Sequence, residues 1–383
     1  MNWKDKTVLV TGATGFIGGR ICERLVQAGN TRVRALVHTV QHAARIARLP
    51  IELCPGNLLD AASLRSAMGD AKIVIHCGLG SGRGIARGTE NLLRQAQAVG
   101  VERFIHMSTA AVYGFTPPPG SETEDAPLRL TGDAYCDNKL RAERVVRRFR
   151  GGGVPAVILR PSIVYGPCSA WSTRLIPDLQ EGRVVLIDGG RGACNTTYVD
   201  NLVDAIFLSL ENDKSVGQTF FITDGERLTW GDFIQSHVAM LGEKMTLPVV
   251  SKEEILAYYR QQPGLIAGSI KATGRALRSK ELRQILQQIP ATERVLSGMW
   301  GWLGSLPEER REKIRGRVGV PRRSPDPTTN GRYMPDEVTL ATQTGTVFFQ
   351  IDKAKRILGY TPRIPFARGI QLVEQWLRFA NYL

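Results

Sequence analysis

Short runs of consecutive apolar, largely β-branched residues alternate along this chain with longer stretches in which apolar residues recur every three to four positions. Thr7–Val10, Val33–Val37, Ile73–His76, Phe104–Met107 and Ala156–Leu159 are runs of the first kind. Unbroken apolar runs of that length suit strands buried on both faces. Gly18–Ala28, Gln41–Leu49, Ala61–Met68, Gly88–Val99 and Asn138–Arg150 carry the helical spacing. Strand and helix in strict alternation predict an α/β fold with a parallel, doubly wound sheet. In such sheets a ligand lies beyond the carboxyl ends of the strands. The residues that follow the first, fourth and fifth runs therefore share one edge.

After Gly166 the pattern changes. Val184–Ile187, Tyr198–Val199 and Phe220–Ile222 read as short strands, and Asn201–Leu210 and Trp230–Leu241 as helices. Ser251 to Arg332 reads as mostly helical and basic, broken by Pro263, Pro290, Pro307 and Pro321. Residues 322–331, rich in Pro, Asn and Gly, read as a link. Phe348–Ile351 is expected as a strand, followed by helices at Asp352–Leu358 and Ala367–Phe379.

Composition changes this picture little. The 383 residues are 43% hydrophobic and 22% charged, ordinary for a soluble globular protein of one enlarged domain or two. The N-terminus enters a strand without a signal-peptide apolar region, and no uninterrupted apolar stretch is long enough to span a membrane. A cytoplasmic location is expected, with a membrane-peripheral one left open. Six cysteines form no CxxC pair and five histidines are scattered, so free thiols and no metal site are expected.

Charge adds a question. The net charge is +14, and residues 252–332 hold sixteen Lys/Arg against eight Asp/Glu. An acidic substrate, an anionic membrane surface or a solvated basic face would each account for it. Nucleic acid ranks last, because no nucleic-acid motif accompanies the charge. Within this region Leu296, Met299, Trp300, Trp302 and Leu303 form an apolar cluster. Packing as ordinary core is the favoured reading, and capping a lipophilic substrate or resting on a membrane interface is the other.

Three motifs carry chemistry. Gly12, Gly15 and Gly18, with Thr14, Phe16 and Ile17 between them, lie between a strand and a helix. Glycines there let the backbone approach a pyrophosphate, and the helix N-terminus offers N–H groups and a positive dipole end. Tyr135 and Lys139 stand at i and i+4, one face of a helix. An ammonium beside a phenol is expected to lower the phenol pKa, suiting it to proton exchange with a carbonyl or alcohol oxygen. Thr109, with Ser108 ranked behind it, places a hydroxyl at a strand end to bond the same oxygen.

These motifs, with Thr109–Gly114, Leu159–Pro167, Tyr198–Ala205 and the tail Lys353–Pro362, resemble the extended short-chain dehydrogenase/reductase family, the NAD-dependent epimerase/dehydratase group. The resemblance implies a Rossmann sheet with a smaller, mostly helical C-terminal substrate-binding region. Residues 1–165 would form the dinucleotide-binding domain, with later strands returning to it near 195–225. Residues 166–383 would form the substrate region, including the basic helical insertion at about 252–332. It implies that Tyr135 is the acid/base, Lys139 its activator and ribose ligand, and Thr109 the substrate-oxygen donor. Cofactor contacts would come from the glycine turn, His38, Asn57, Leu58, Lys139, Pro161 and Val164, with Tyr113 and Tyr165 toward substrate. A homodimer follows by analogy with the family.

Departures from the family pattern narrow the reaction. Ala110 and Ala111 follow Thr109 where 4,6-dehydratases carry acids, and Ile163 stands where sugar-nucleotide epimerases hold the diphosphate with Asn. Arg160-Pro161 with Val164-Tyr165-Gly166-Pro167 is closer to the 3β-hydroxysteroid dehydrogenase and dihydroflavonol reductase branch. The second strand ends Arg34-Ala35-Leu36-Val37-His38 without the acid that would repel a 2′-phosphate, which favours NADP(H) over NAD(H). His38, Arg20 or Arg45 would then lie near that phosphate. The expected activity is an NAD(P)-dependent oxidoreductase acting on a secondary alcohol or ketone in a small molecule, lipophilic ones being the leading candidates. A nucleotide-sugar epimerase using the same three residues, and a nucleotide-sensing scaffold, are the alternatives.

Overall fold

The computed structural model describes residues 2–29, 31–80, 82, 84–242, 245–261, 328–329 and 332–383. The chain divides into two compact units, Met1–Val250 with Asp336–Leu383, and Ser251–Pro335.

The first unit is built on seven parallel strands. They are β1 (Thr7–Thr11), β2 (Arg32–Val37), β3 (Glu52–Pro55), β4 (Ile73–His76), β5 (Arg103–Met107), β6 (Ala156–Pro161) and, after four short strands, β11 (Thr219–Ile222). Their order is β11-β6-β5-β4-β1-β2-β3, so the chain reverses direction across the sheet between β1 and β4. The short strands are β7 (Ile163–Tyr165), β8 (Leu186–Ile187), β9 (Ala193–Cys194) and β10 (Thr196–Tyr198).

Both faces of the sheet are covered. Val8 and Val10 join the core on one face with Ile73, Ile75, Ile105 and Leu159, while Leu9, Val74, Phe104 and Ile158 join the other. That two-residue period with both sides apolar is why the strands read as unbroken hydrophobic runs. Helices α2 (Ala61–Met68), α3 (Gly84–Ala98) and α4 (Ala134–Gly151) pack on the second face; α1 (Phe16–Ala28) and α6 (Val199–Glu211) pack on the first. Between them in sequence lies α5 (Ala170–Gln180), and α7 (Trp230–Met240) starts from a capping box of Thr229 and Asp232.

Two expected elements differ. Gln41–Leu49 is a short 3₁₀ turn over Val40–Arg45 rather than a helix. Phe348–Ile351 is not a strand: its backbone is held instead by side chains and single contacts, Asn195 to Val347 and Phe349 and Glu122 to Gln350. The strand β3 was not expected, since Glu52-Leu53-Cys54-Pro55 is short and mixed, and it forms as the sheet edge beside β2.

In the second unit, α8 (Lys252–Gln261) buries Ile255, and the Tyr259 hydroxyl donates to the Pro335 carbonyl at 2.6 Å. Leu296, Met299, Trp300, Trp302 and Leu303, and most of the basic insertion, lie outside the described residues. The chain returns to the first unit through α9 (Glu337–Gln343), α10 (Asp352–Leu358) and α11 (Phe366–Phe379). Among the described residues no helix is long and apolar enough to cross a membrane.

Candidate active site

The glycine turn sits where the strand order reverses, the place such sheets bind ligands. Gly12 has φ +69°, and a Cβ on it would stand 2.7 Å from the Cys77 carbonyl carbon at the end of β4. A Cβ on Gly18 would collide with the Gly12 carbonyl oxygen. Only hydrogen fits at either position, so the turn closes tightly on β4. Gly15 caps α1 without any side-chain bond, which leaves the first-turn N–H groups and the positive dipole end open to an anion.

A buried hydrogen-bond chain fixes the floor of this crevice. The Gly78 N–H donates to Thr11 Oγ1 at 3.1 Å, and Thr11 Oγ1 lies 2.7 Å from His76 Nδ1. His76 Nε2 lies 3.0 Å from Thr89 Oγ1, which itself donates to the Ile85 carbonyl. Since the Thr89 proton is committed, His76 must donate from Nε2 and accept from Thr11 at Nδ1. Burial and the nearby Lys139 push the His76 pKa down to about 3, so the ring is neutral.

The other expected cofactor residues ring this crevice unevenly. His38 is exposed after β2, its ring against the Thr39 hydroxyl. Arg20 is tied to Asp200 and Glu23 at 2.8 Å each, whereas Arg45 meets Glu23 only at 3.3 Å and lies over Gly19. Asn57 turns its side chain onto the Leu59 N–H, and the Leu58 carbonyl accepts from Asn91. Pro161 and Val164 are buried at the ends of β6 and on β7.

Helix α4 begins beside the end of β5. Asp133 caps it by accepting the Cys136 N–H at 2.9 Å, and this sets Tyr135 in the first turn and Lys139 one turn on. Thr109 Oγ1 accepts the Ala111 N–H at 3.1 Å, and its own proton is turned toward the Tyr135 phenol. Burial raises the Tyr135 phenol above its ordinary pKa and the adjacent Thr109 hydroxyl pulls the other way. The expected lowering by Lys139 is not what the structure gives. The Lys139 ammonium points at the Met107 carbonyl, 2.9 Å away, and burial brings its own pKa down to about 8.

Three residues expected near substrate are occupied elsewhere. Ser108 donates to Glu143 Oε1 at 2.6 Å. The Tyr113 hydroxyl donates to the Ala126 carbonyl and accepts from Arg160, and its ring packs against Phe221. Tyr165 is wholly buried among Tyr198, Phe233 and Phe366. None of the three lines the cavity beside Tyr135.

That cavity, about 240 Å³, opens against Thr109 and Tyr135. Its walls are Phe115, Ile163, Trp171, Trp230, Val347 and Phe349 with small residues, Ser162, Asn195 and Thr342 between them. No charged side chain lines it among the described residues. The Phe115 ring lies nearly parallel to Tyr135, and Trp171 leans on Trp230. Asn195 braces the far wall with both ends of its amide, donating to the Val347 carbonyl and accepting the Phe349 N–H at 2.9 Å each. These wall residues carry little signal in sequence because they come from segments more than two hundred positions apart. Glu143 was missed by the sequence reading, although it stands four after Lys139 on the same helical face.

Comparison with known proteins agrees with this architecture. Residues 8–222 match the NAD dependent epimerase/dehydratase family. The chain is similar to the 4-hydroxy-2-methyl-3-oxo-4-farnesyl-3,4-dihydroquinoline-1-oxide ketoreductase of Stigmatella aurantiaca, 29% identical over 236 residues, 59% of this chain and 70% of that protein. It is 27% identical over 264 residues to a 3 beta-hydroxysteroid dehydrogenase/Delta 5-->4-isomerase of Mycobacterium tuberculosis, 62% of this chain and 70% of that one. The fold is shared with the UDP-glucuronic acid 4-epimerase of Bacillus cereus in complex with NAD, at TM-score 0.64 and 19% identity over 98% of this chain and 99% of that one.

Proposed function

The chain belongs to the NAD dependent epimerase/dehydratase family of NAD-dependent, short-chain dehydrogenase/reductase-type enzymes, and from that premise we propose that it interconverts a secondary alcohol and a ketone in an uncharged, lipophilic molecule. The observation that carries this is the wall chemistry of the cavity. Tyr135 and Thr109 face a space bordered by aromatic and aliphatic side chains with no cation among the described residues. A nucleotide sugar would leave its diphosphate without a partner there, and burying an unpaired anion is costly. Ile163 borders the cavity at the position where an epimerase would use Asn.

The open N-terminus of α1 and the tight Gly12–Gly18 turn fit a pyrophosphate. Gly12, Thr14, Gly15, Phe16, Ile17, Gly18, His38, Asn57, Leu58, Lys139, Pro161 and Val164 would hold the dinucleotide. When bound, a nicotinamide cofactor exchanges the hydride. Tyr135 gives its phenol proton to the ketone oxygen in reduction and takes it back in oxidation. Thr109, beside the phenol, would turn its hydroxyl proton to the same oxygen when substrate is bound. Lys139 holds its ammonium below them, where a ribose hydroxyl would be met. Ser108 is committed to Glu143 and takes no part in this contact. We assign the region from residue 166 onward to substrate, since Trp171, Asn195, Trp230 and the 345–349 segment form its walls.

NADP(H) is the preferred cofactor on this reading. The end of β2 carries no carboxylate, and Arg45, held only loosely by Glu23, is better placed to turn to a 2′-phosphate than Arg20.

The deciding experiment supplies both reduced cofactors with a panel of neutral ketones and, separately, UDP-sugars, and follows nicotinamide absorbance and product. Net oxidation of the cofactor by a neutral ketone, lost by about a hundredfold or more in Tyr135→Phe, is expected. Epimerised UDP-sugar without net cofactor turnover would sink the proposal.

A further inference from the structure

Two side chains one turn apart on α4 grip two consecutive residues at the end of β5. Lys139 Nζ donates to the Met107 carbonyl at 2.9 Å, and Ser108 Oγ donates to Glu143 Oε1 at 2.6 Å. The next residue is Thr109. Glu143 is wholly buried and meets an equally buried Arg160 in a two-bond fork, Nε to Oε1 at 2.9 Å and a terminal nitrogen to Oε2 at 2.8 Å. Arg147 adds a second contact to Oε2. Arg160 also donates to the Tyr113 hydroxyl at 3.0 Å, on the 3₁₀ turn that Thr109 itself caps. The network therefore spans β6, α4, the end of β5 and the turn that aims the Thr109 hydroxyl.

A fully buried ion pair is a poor stabiliser. Its desolvation cost is large, and apolar residues of the same volume often serve stability as well. What this pair supplies that an apolar pair would not is a directed acceptor for Ser108 and a fixed negative charge. We propose that Glu143, held by Arg160, is a positioning residue that fixes Ser108, thereby aims the Thr109 hydroxyl, and sets a negative charge one helical turn from the Lys139 ammonium. This rests on the reading of Lys139 and Thr109 given above.

The electrostatics agree. Burial drives the Lys139 pKa down to about 8, and the two groups that oppose it are Cys77 and, after it, Glu143. Around the ammonium stand the Cys77 thiol and neutral His76 at the end of β4 and neutral His106 on β5, with Tyr135 and Glu143 on its own helix. Arg160 on β6 reaches it only through Glu143. Burial pushes the Cys77 thiol up to about 12, so it carries no charge near neutral pH. Burial alone would raise the Glu143 carboxyl, yet the Arg160 fork holds it below its ordinary value, so it is ionised. Glu143 is thus the anion that keeps Lys139 protonated.

The test is NADPH and NADH binding by the full chain, followed by fluorescence across the range where Lys139 titrates. Wild-type affinity falls with rising pH around a midpoint near 8. Glu143→Gln lowers that midpoint by about one pH unit. Glu143→Gln/Arg160→Met, which removes both charges and so protects folding, lowers it by a smaller amount, since a more distant cation is lost with the anion. Glu143→Asp keeps the wild-type midpoint. Ser108→Ala keeps it too, but lowers kcat on a neutral ketone about tenfold with KM unchanged, the mark of a misaimed donor. A merely structural Glu143 would lower the melting temperature and leave the midpoint in place. An unchanged midpoint in the folded double variant overturns the proposal. A wild type whose cofactor binding ignores pH overturns the Lys139 reading beneath it, and that failure is visible before any variant is made.

Discussion

Asp224 follows β11 and is almost wholly buried, yet its two oxygens are treated unequally. Oδ1 accepts the Tyr198 N–H and the Asn201 side-chain amide at 2.8 Å each, whereas Oδ2 has no partner among the described residues. The nearby Thr196 hydroxyl favours the ionised form of the carboxyl. Burial raises the carboxyl from 3.8 to about 6, against the hydrogen bonds and with help from Glu226. A folded-state pKa above the unfolded one means that the folded chain binds the proton more tightly. Stability from this group is therefore greatest below the unfolded value, falls as pH rises from 3.8 toward 6, and is lower by a constant amount above that. A rise of that size is worth about 3 kcal/mol in full. Roughly half of that loss falls between pH 5 and pH 7.5. Asp224→Asn keeps the Oδ1 acceptor and removes the charge. Urea unfolding of wild type and variant at both pH values should show the variant gaining about 1.5 kcal/mol relative to wild type on going from pH 5 to pH 7.5. Titrating groups that do not interact with Asp224 are common to both chains and drop out of the difference. A stability difference that is the same at the two pH values would refute the reasoning.

Gly18→Ala should weaken NADPH binding more than tenfold and lower the melting temperature, because its Cβ would drive the Gly12 carbonyl out of the turn; fluorescence titration and a thermal melt check both. Asn195→Ala should cost about 2–4 kcal/mol through two lost buried hydrogen bonds. Hydrogen exchange at the Phe349 amide should quicken in that variant while exchange at Phe104 keeps its rank; equal protection of Phe349 in both proteins would count against the bracing role.

Six of the seven main strands, all but β3, were visible in the sequence because a strand covered on both faces leaves a contiguous apolar run. Phe220–Ile222 was visible as a strand, though its place beside β6 was not, since register across more than fifty residues leaves no local mark. Gln41–Leu49 misled because helical spacing of apolar residues also suits a 3₁₀ turn folded back on α1. Phe348–Ile351 misled because Phe349 and Ile351 are buried without a neighbouring strand to pair with, and Asn195 supplies hydrogen bonds instead.

The glycine turn, and the Tyr135, Lys139 and Thr109 positions, were determined by the sequence itself. Each depends on spacing within a single turn or helix, where geometry is fixed by local backbone rules. Tertiary structure alone decided that Ser108 faces Glu143, that Tyr113 and Tyr165 turn into the core, and that the cavity wall is uncharged. Those outcomes depend on which residues from distant segments arrive beside one another, and on the cost of leaving a buried polar group unpaired. A one-dimensional pattern records neither.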